Sequence, residues 1–327
     1  MISEISENLY RITLPMPFRL RHVHAYALTG GTDVCLFDTG MDLPGAYERL
    51  EKDLQSIGRS AQNITQIYLS HVHMDHCGMA GIIQDKSKAH VYLSAAAHQA
   101  YEHFQQGQRL IEQADVFYSR QGVPPDDVRA IIEEIEDMRT RIPLFTAAGF
   151  VRDREVRSFG DRSFEVVFTP GHADGHICFF FHDEGLLLAG DHILPYIPPS
   201  LSPNIFDETS QPLAGYLTSL AAIEQLPITC AHPGHGTSFG GVVERIDEIR
   251  EHHALKKELL FKILNDKPKS VFGITGEILG TAGAARDDWE KFMALNETYV
   301  YLQELKREET VIETASDGVL LYRRCPR

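Results

Sequence analysis

The 327 residues are 43% hydrophobic and 24% charged, a balance that excludes collagenous, low-complexity and disordered chains and allows one large domain or a large one with a small one. A net charge of −15 opposes contact with polyanions, no run nears the ~18 apolar residues of a membrane span, and the acidic start Met1-Ile2-Ser3-Glu4 lacks the basic segment of a secretory signal. The five cysteines (Cys35, Cys77, Cys178, Cys230, Cys325) are scattered and form no C-x-x-C pair, which argues against disulfides and cysteine–zinc sites and favours a cytoplasmic location.

Short β-rich segments open the chain. Leu9–Leu14, His24–Leu28 and Val34–Phe37 are separated by turn residues, the last running into Asp38-Thr39-Gly40, and together they predict an antiparallel meander. Pro44–Ile57 carries apolar residues at helical spacing, and Ile67–Ser70 is a buried-type strand that enters His71. A second strand set follows at Phe164–Thr169, Ile177–Phe181 and Leu186–Ala189. Between the sets, two amphipathic helices are expected over about 95–145. One is marked by Phe104, Leu110, Ala114, Phe117 and Tyr118, the other by Val128, Ile131, Ile132, Ile135, Met138 and Ile142, with the Pro-rich turn from Gly122 to Asp127 between them. They read as a helical cap. Phe104, Phe117, Tyr118 and Met138 are its candidates for a roof over the site, or for packing within the cap itself. Past His235 a polar helix is predicted over Gly241–Leu264, then helical segments at Thr275–Leu279 and Asp287–Leu305. A hairpin follows, with Asp317-Gly318 at its turn. From His252 onward basic and acidic residues are equal in number, so this tail lacks the footprint of a nucleic-acid binder and reads as a packing or dimerisation element.

Sixteen histidines are the unusual feature, and their densest cluster is Ser70-His71-Val72-His73-Met74-Asp75-His76-Cys77-Gly78. Alternate residues of an extended segment point the same way, so His71 and His73 can share one cation while Asp75 and His76 turn toward a second position. Imidazole with carboxylate suits zinc, iron or manganese. Four such groups packed together need a positive partner.

The pattern His71-x-His73-x-Asp75-His76 resembles the hallmark of the metallo-β-lactamase-fold hydrolases. Thr169-Pro170-Gly171-His172, Leu188-Ala189-Gly190-Asp191 and His232-Pro233-Gly234-His235-Gly236 follow in the family's order, and Asp38-Thr39-Gly40 resembles its buttressing turn. The tail is similar to that of a glyoxalase II-like or thioesterase-like subgroup. The resemblance implies an α/β fold, a four-layer αββα sandwich with the helical insertion (about 95–148) in a catalytic domain of residues 1–240, followed by a winged-helix-like domain at 241–327. It implies two divalent cations, zinc first with iron or manganese as alternatives. His71, His73 and His172 would hold one, Asp75, His76 and His235 the other, and Asp191 would bridge them. The implied function is a dinuclear hydrolase whose metal-bridging hydroxide cleaves an ester, thioester or lactone of a small metabolite, with Asp75 and Asp191 in the catalytic machinery. The alternatives are a phosphodiesterase or ribonuclease of the same fold, disfavoured by the charge, and a mononuclear-iron sulfur dioxygenase. Partners are expected to be a small-molecule substrate and a second copy as homodimer, with neither nucleic acid nor membrane.

Outside the resemblance, Tyr196 lies five residues beyond Asp191, where its hydroxyl could reach a substrate oxygen, or its ring could simply pack. His176, His192 and His232 read as core or ligand-orienting histidines. His22 and His24 lie at a strand edge suited to a site rim. Cys77 reads as a small buried thiol.

Overall fold

Four strands pair antiparallel in chain order because each is followed by a turn short enough to return the chain beside itself. In the computed structural model, which describes residues 1–265, 267–282 and 288–326, these are β1 (Ile2–Ser6), β2 (Leu9–Pro15), β3 (His22–Gly30) and β4 (Asp33–Phe37). Helical crossovers then make the next strands add in parallel. Helix α1 (Ala46–Gln55) leads to β5 (Ile64–Tyr68), and α2 (Met74–Cys77) and α3 (Ala80–Ser87) lead to β6 (His90–Ser94). Helices α4 (Ala95–Gln105), α5 (Gln108–Arg120) and α6 (Pro125–Thr140) lead to β7 (Ala147–Val151), the last strand of a seven-stranded sheet.

The second sheet holds five strands in the order β12-β11-β10-β9-β8: β8 (Val156–Phe159), β9 (Arg162–Phe168), β10 (Ile177–Phe181), β11 (Leu186–Gly190) and β12 (Cys230–Pro233). All neighbours are antiparallel except β11 and β12, which the crossover helix α7 (Pro212–Glu224) makes parallel. Helices α8 (Val242–Ile263), α9 (Val271–Ala282) and α10 (Asp288–Arg307) follow, and then the hairpin β13 (Val311–Ser316) and β14 (Val319–Arg324). Asp317 and Gly318 both take positive φ at its turn, 51° and 82°, as a two-residue hairpin loop of this hand requires.

Strand alternation decides the layers. Phe37, Phe179 and Phe181 face the other sheet and, with Tyr68 and Phe164, fill the space between; the Phe37 ring lies 4.8 Å from Phe179 and 5.0 Å from Phe164. The intervening Leu36 faces Leu50, Leu54 and Ile83 of α1 and α3. Cys178 and Phe180 likewise face Leu213, Tyr216 and Leu220 of α7 and Ile246 and Ile249 of α8. The result is helices, sheet, sheet, helices: the αββα sandwich. Among the described residues, no helix is long and apolar enough to cross a membrane.

Several elements differ from the sequence reading. The region of two expected helices holds three, because Gly107 breaks the first with φ at +51°. Strands β1, β6, β7 and β8 and helix α7 escaped the pattern reading. β7 and β8 are short and half-exposed, and α7 is apolar nearly all round because it lies against sheet and helices together. Helix α9 extends well beyond Thr275–Leu279, and Asp287, the expected first residue of the next helix, lies outside the described residues. Phe117 and Tyr118 do not line a roof: the Phe117 ring packs 5.0 Å from Tyr299 of α10, and the Tyr118 hydroxyl donates to Asn296 Oδ1 at 3.1 Å. The insertion thus shares its apolar core with the C-terminal helices.

Truncating Phe37 removes the ring that meets four aromatics between the sheets. Phe37→Ala should destabilise the fold by about 3–5 kcal/mol, read as a lowered denaturation midpoint; a loss under ~1 kcal/mol would contradict this account of the core.

Candidate metal centre

Every predicted ligand lies just past the C-terminal end of a strand, on one edge of the two sheets. His71 and His73 follow β5, and α2 turns Asp75 and His76 beside them; His172 follows β9, Asp191 follows β11 and His235 follows β12. The fold brings all seven together. The ligand atoms of His71, His73 and His172 lie within 4.8 Å of one another, as do those of His71, His76 and Asp191, and of Asp75, His76 and His235.

The first cluster is tight. His73 Nδ1 lies 3.0 Å from both His71 Nε2 and His172 Nε2. Hydrogen bonds on the far side of each ring set the tautomers. Ser70 Oγ donates its proton to Asp38 Oδ2 at 2.7 Å, so it accepts from His71 Nδ1 at 2.9 Å and leaves a lone pair on Nε2. His172 Nδ1–H donates to the Ser200 carbonyl at 2.7 Å, again turning a bare Nε2 inward. Lone pairs aimed at one point repel unless something positive lies between them. Two nitrogens on one tetrahedral zinc stand about 3.3 Å apart, close to what is found. Burial and the neighbouring imidazoles hold His71 well below its ordinary pKa, and burial lowers His172 too, so both stay neutral. His71 and His172 are buried and His73 is exposed, which opens the centre on one side.

In the second cluster, His235 Nε2 lies 3.1 Å from Asp75 Oδ2 and 3.3 Å from Asp191 Oδ2, while its Nδ1–H donates to the His22 carbonyl at 2.8 Å. His76 Nδ1–H donates to Asp38 Oδ2 at 2.8 Å. On the ring's other side, His76 Nε2 and Asp191 Oδ1 are buried, 3.4 Å apart, and make no hydrogen bond. Two buried atoms without a hydrogen bond, each able to turn a lone pair to one spot, fit a cation. Burial opposes charge on His76, yet the carboxylates of Asp191, Asp75 and Asp38 hold its pKa well above the ordinary value. His235 is likewise pushed up to about 10 by Asp191 and Asp75 against its burial. The carboxylates move the opposite way: despite burial, His76 and His235 hold Asp75 down to about 2, and His235 and His76 hold Asp191 well below its usual range.

Around the ligands stands a shell that the motifs mark only partly. Asp38, at φ 58°, accepts from the Ser70 N–H at 2.7 Å as well as from Ser70 Oγ and His76, so one carboxylate aligns two candidate ligands. His176 accepts the Asp191 N–H at 3.1 Å on Nε2, and its Nδ1 meets Thr169 Oγ1 at 2.7 Å. His24 Nε2–H donates to the Gly236 carbonyl at 2.7 Å. Cys77 is buried against the Val72 carbonyl. A Cβ at Gly234 would stand 2.5 Å from Asp191 Oδ1, so only glycine lets β12 approach so closely. Tyr196 sits at the rim: its ring is 71% exposed and its hydroxyl lies 2.6 Å from Thr237 Oγ1. The carbonyls of Ser200 and His22 were invisible in sequence, since any residue supplies one. Ser70, next to His71, carried a hint in its hydroxyl.

A two-sheet sandwich between helices, with histidine and aspartate loops gathered along one strand edge, defines a known class of fold. Residues 19–235 match the model of the metallo-beta-lactamase superfamily, and the chain belongs to that superfamily. "Probable metallo-hydrolase YqjP" of Bacillus subtilis (strain 168) is 27% identical over 316 residues, 94% of each chain. A metallo-beta-lactamase family protein from Thermus thermophilus superposes with a TM-score of 0.87 at 27% identity, over 98% of this chain and 100% of its own. A beta-lactamase domain protein from Burkholderia ambifaria superposes at 0.85 with 24% identity, over 99% and 94%, a likeness of fold.

The charge arrangement sets a pH dependence. A histidine whose pKa rises on folding stabilises fully below its unfolded pKa, about 6.5, and the gain is lost as pH rises through the folded value. With metal stripped by chelator, stability should therefore fall from pH 6.5 toward about 10 as His235 deprotonates beside two carboxylates. Denaturant melts across that range check it; a flat profile contradicts the assignment. Zinc requires both imidazoles neutral, so zinc uptake near pH 7.5 should release protons into weak buffer.

Proposed function

We propose that the protein is a hydrolase dependent on two divalent cations, cleaving an ester, thioester or lactone of a small metabolite. The carrying observation is the convergence of seven ligand-type side chains, with the Nε2 lone pairs of His71 and His172 turned inward and His76 Nε2 and Asp191 Oδ1 left orphaned. His71, His73 and His172 would hold one cation and Asp75, His76 and His235 the other, with Asp191 between them, its Oδ2 3.8 Å from His172 Nε2 and 3.3 Å from His235 Nε2. Zinc suits this imidazole and carboxylate set, with iron or manganese as alternatives. When bound, such cations supply Lewis acidity that polarises a scissile carbonyl and lowers the pKa of water from 15.7 to about 7.

The residues of the chain do the rest. Ser70, Asp38 and the Ser200 and His22 carbonyls fix the rings of His71, His76, His172 and His235 in turn, so the site is organised before substrate arrives. Exposed His73 marks the side from which substrate enters. The Bacillus relative named a probable metallo-hydrolase supports the reaction class. The net charge of −15 supports a small neutral or weakly charged substrate over RNA.

Purified protein should carry close to two metals per chain; a single iron would favour the dioxygenase reading. A panel of acyl-thioesters, esters, lactones, phosphodiesters and single-stranded RNA should show turnover on the first three classes, and turnover on the last two alone would overturn the reading. On a confirmed substrate, Asp191→Ala should lower kcat/KM by at least ~10³-fold, and wild-type turnover in that variant would refute the role of Asp191.

A further inference from the structure

Between Asp191 and α7 the chain runs from His192 to Gln211 without a helix or strand. Connections of that length inside a domain are held by contacts of their own or serve a function. This one crosses the loop that carries His172. The Ser200 carbonyl accepts from His172 Nδ1 at 2.7 Å, and Asn204 Nδ2 donates to Asp174 Oδ2, just past His172, at 2.7 Å. The other end of the same amide, Asn204 Oδ1, accepts the Phe206 N–H at 2.8 Å. One end of Asn204 thus fixes the turn that follows it, and the other ties the segment to the His172 loop. That loop is gripped from its far side as well. Ser94, the N-cap of α4, donates to the Gly175 carbonyl at 2.6 Å, and a Cβ at Gly175 would stand 2.3 Å from Ala97 N. Farther along the segment, the Phe206 ring stacks 4.4 Å from His103 of α4, the Arg109 guanidinium of α5 lies 5.6 Å from its centre, and Glu208 pairs with Arg120. The helical insertion therefore holds both the His172 loop and the segment that crosses it.

Leu201 is fully buried beside Ser200, but an apolar contact has no direction and leaves the neighbouring peptide free to pivot. A carbonyl that sets a histidine tautomer must meet the ring N–H nearly in line, because hydrogen bonds weaken steeply with angle. A second directional bond beside the first removes that freedom. We propose that Asn204 and Asp174 are positioning residues for His172: their bond sets the register of the 192–211 segment against the His172 loop, so that the Ser200 carbonyl keeps His172 Nε2 bare and aimed at the first cation. The proposal rests on the two-cation reading above. The second cluster takes its orienting bonds elsewhere, from Asp38 and the His22 carbonyl, so the effect is confined to one of the two sites.

Zinc titrations of the full chain against a chromophoric chelator test it. The wild type should take up two zincs. Asp174→Ala should weaken one of them about tenfold, the loss expected when a ligating histidine loses its orienting partner, and leave the other little changed. Asp174→Asn keeps an oxygen for the Asn204 amide and should restore most of that affinity. His172→Ala should leave one zinc, and adding Asp174→Ala to it should not weaken that zinc further. With cobalt in place of zinc, Asp174→Ala should alter the visible absorption of one of the two ions only. Asn204→Ser removes the same bond from the other side and should reproduce the loss, which covers a failure of Asp174→Ala to fold. Equal affinities in the wild type and both single variants, equal weakening of both zincs, an Asp174→Asn as weak as Asp174→Ala, or further loss in the His172→Ala background overturns the proposal and leaves the metal centre standing. A wild type that takes up fewer than two zincs overturns the two-cation reading, and the proposal with it.

Discussion

Two carboxylates and five imidazoles drawn to one edge of two sheets cannot coexist there without a positive charge among them. Asp191 lies close enough to Asp75 to raise the cost of ionising it, and both carboxylates are held ionised only by the histidines beside them. With no cation bound, His76 and His235 supply that charge by holding protons. With cations bound, those protons must leave. The site would therefore exchange one form of positive charge for another on binding cations. Its rings stay in place through the exchange because His71, His76, His172 and His235 are each hydrogen-bonded on the far side. Among the three histidines of the first cluster, His73 is the exposed one.

Asp38 ties this arrangement to the fold. It sits at the end of β4 in a left-handed conformation that directs its carboxylate at Ser70 and His76. Its position depends on β4 pairing with β5, since the Asp38 N–H donates to the Tyr68 carbonyl at 2.9 Å. The same strands present Phe37 and Tyr68 to the core between the sheets. Packing and chemistry are thus one residue apart in the chain: the aromatic layer sets the spacing of the sheets, and the loops beyond it inherit that spacing.

The C-terminal helices are more than an appendage. Through Phe117 and Tyr118 they share a core with the helical insertion, and through Glu290 they touch the turn beside the site. A region legible in sequence only as helices and a hairpin is, in three dimensions, continuous with the outer face of the second sheet.

The amino-acid sequence by itself marked the candidate ligands, because metal chemistry demands rare residue types at short spacing. Three imidazoles and a carboxylate within His71-x-His73-x-Asp75-His76 would repel or desolvate one another at a strand end that held no cation, and β-branched and aromatic runs mark the strand that carries them. It also determined most of the meander and the terminal hairpin, whose turns depend on local backbone preference. Only the tertiary structure decided that Phe117 and Tyr118 pack on α10 and that backbone carbonyls of Ser200 and His22 orient candidate ligands. Local preference acts over a few residues and leaves its signature in composition. A carbonyl carries no residue identity, and an apolar side chain on a helix stripe looks the same whichever partner covers it, so those choices are made only when distant segments meet.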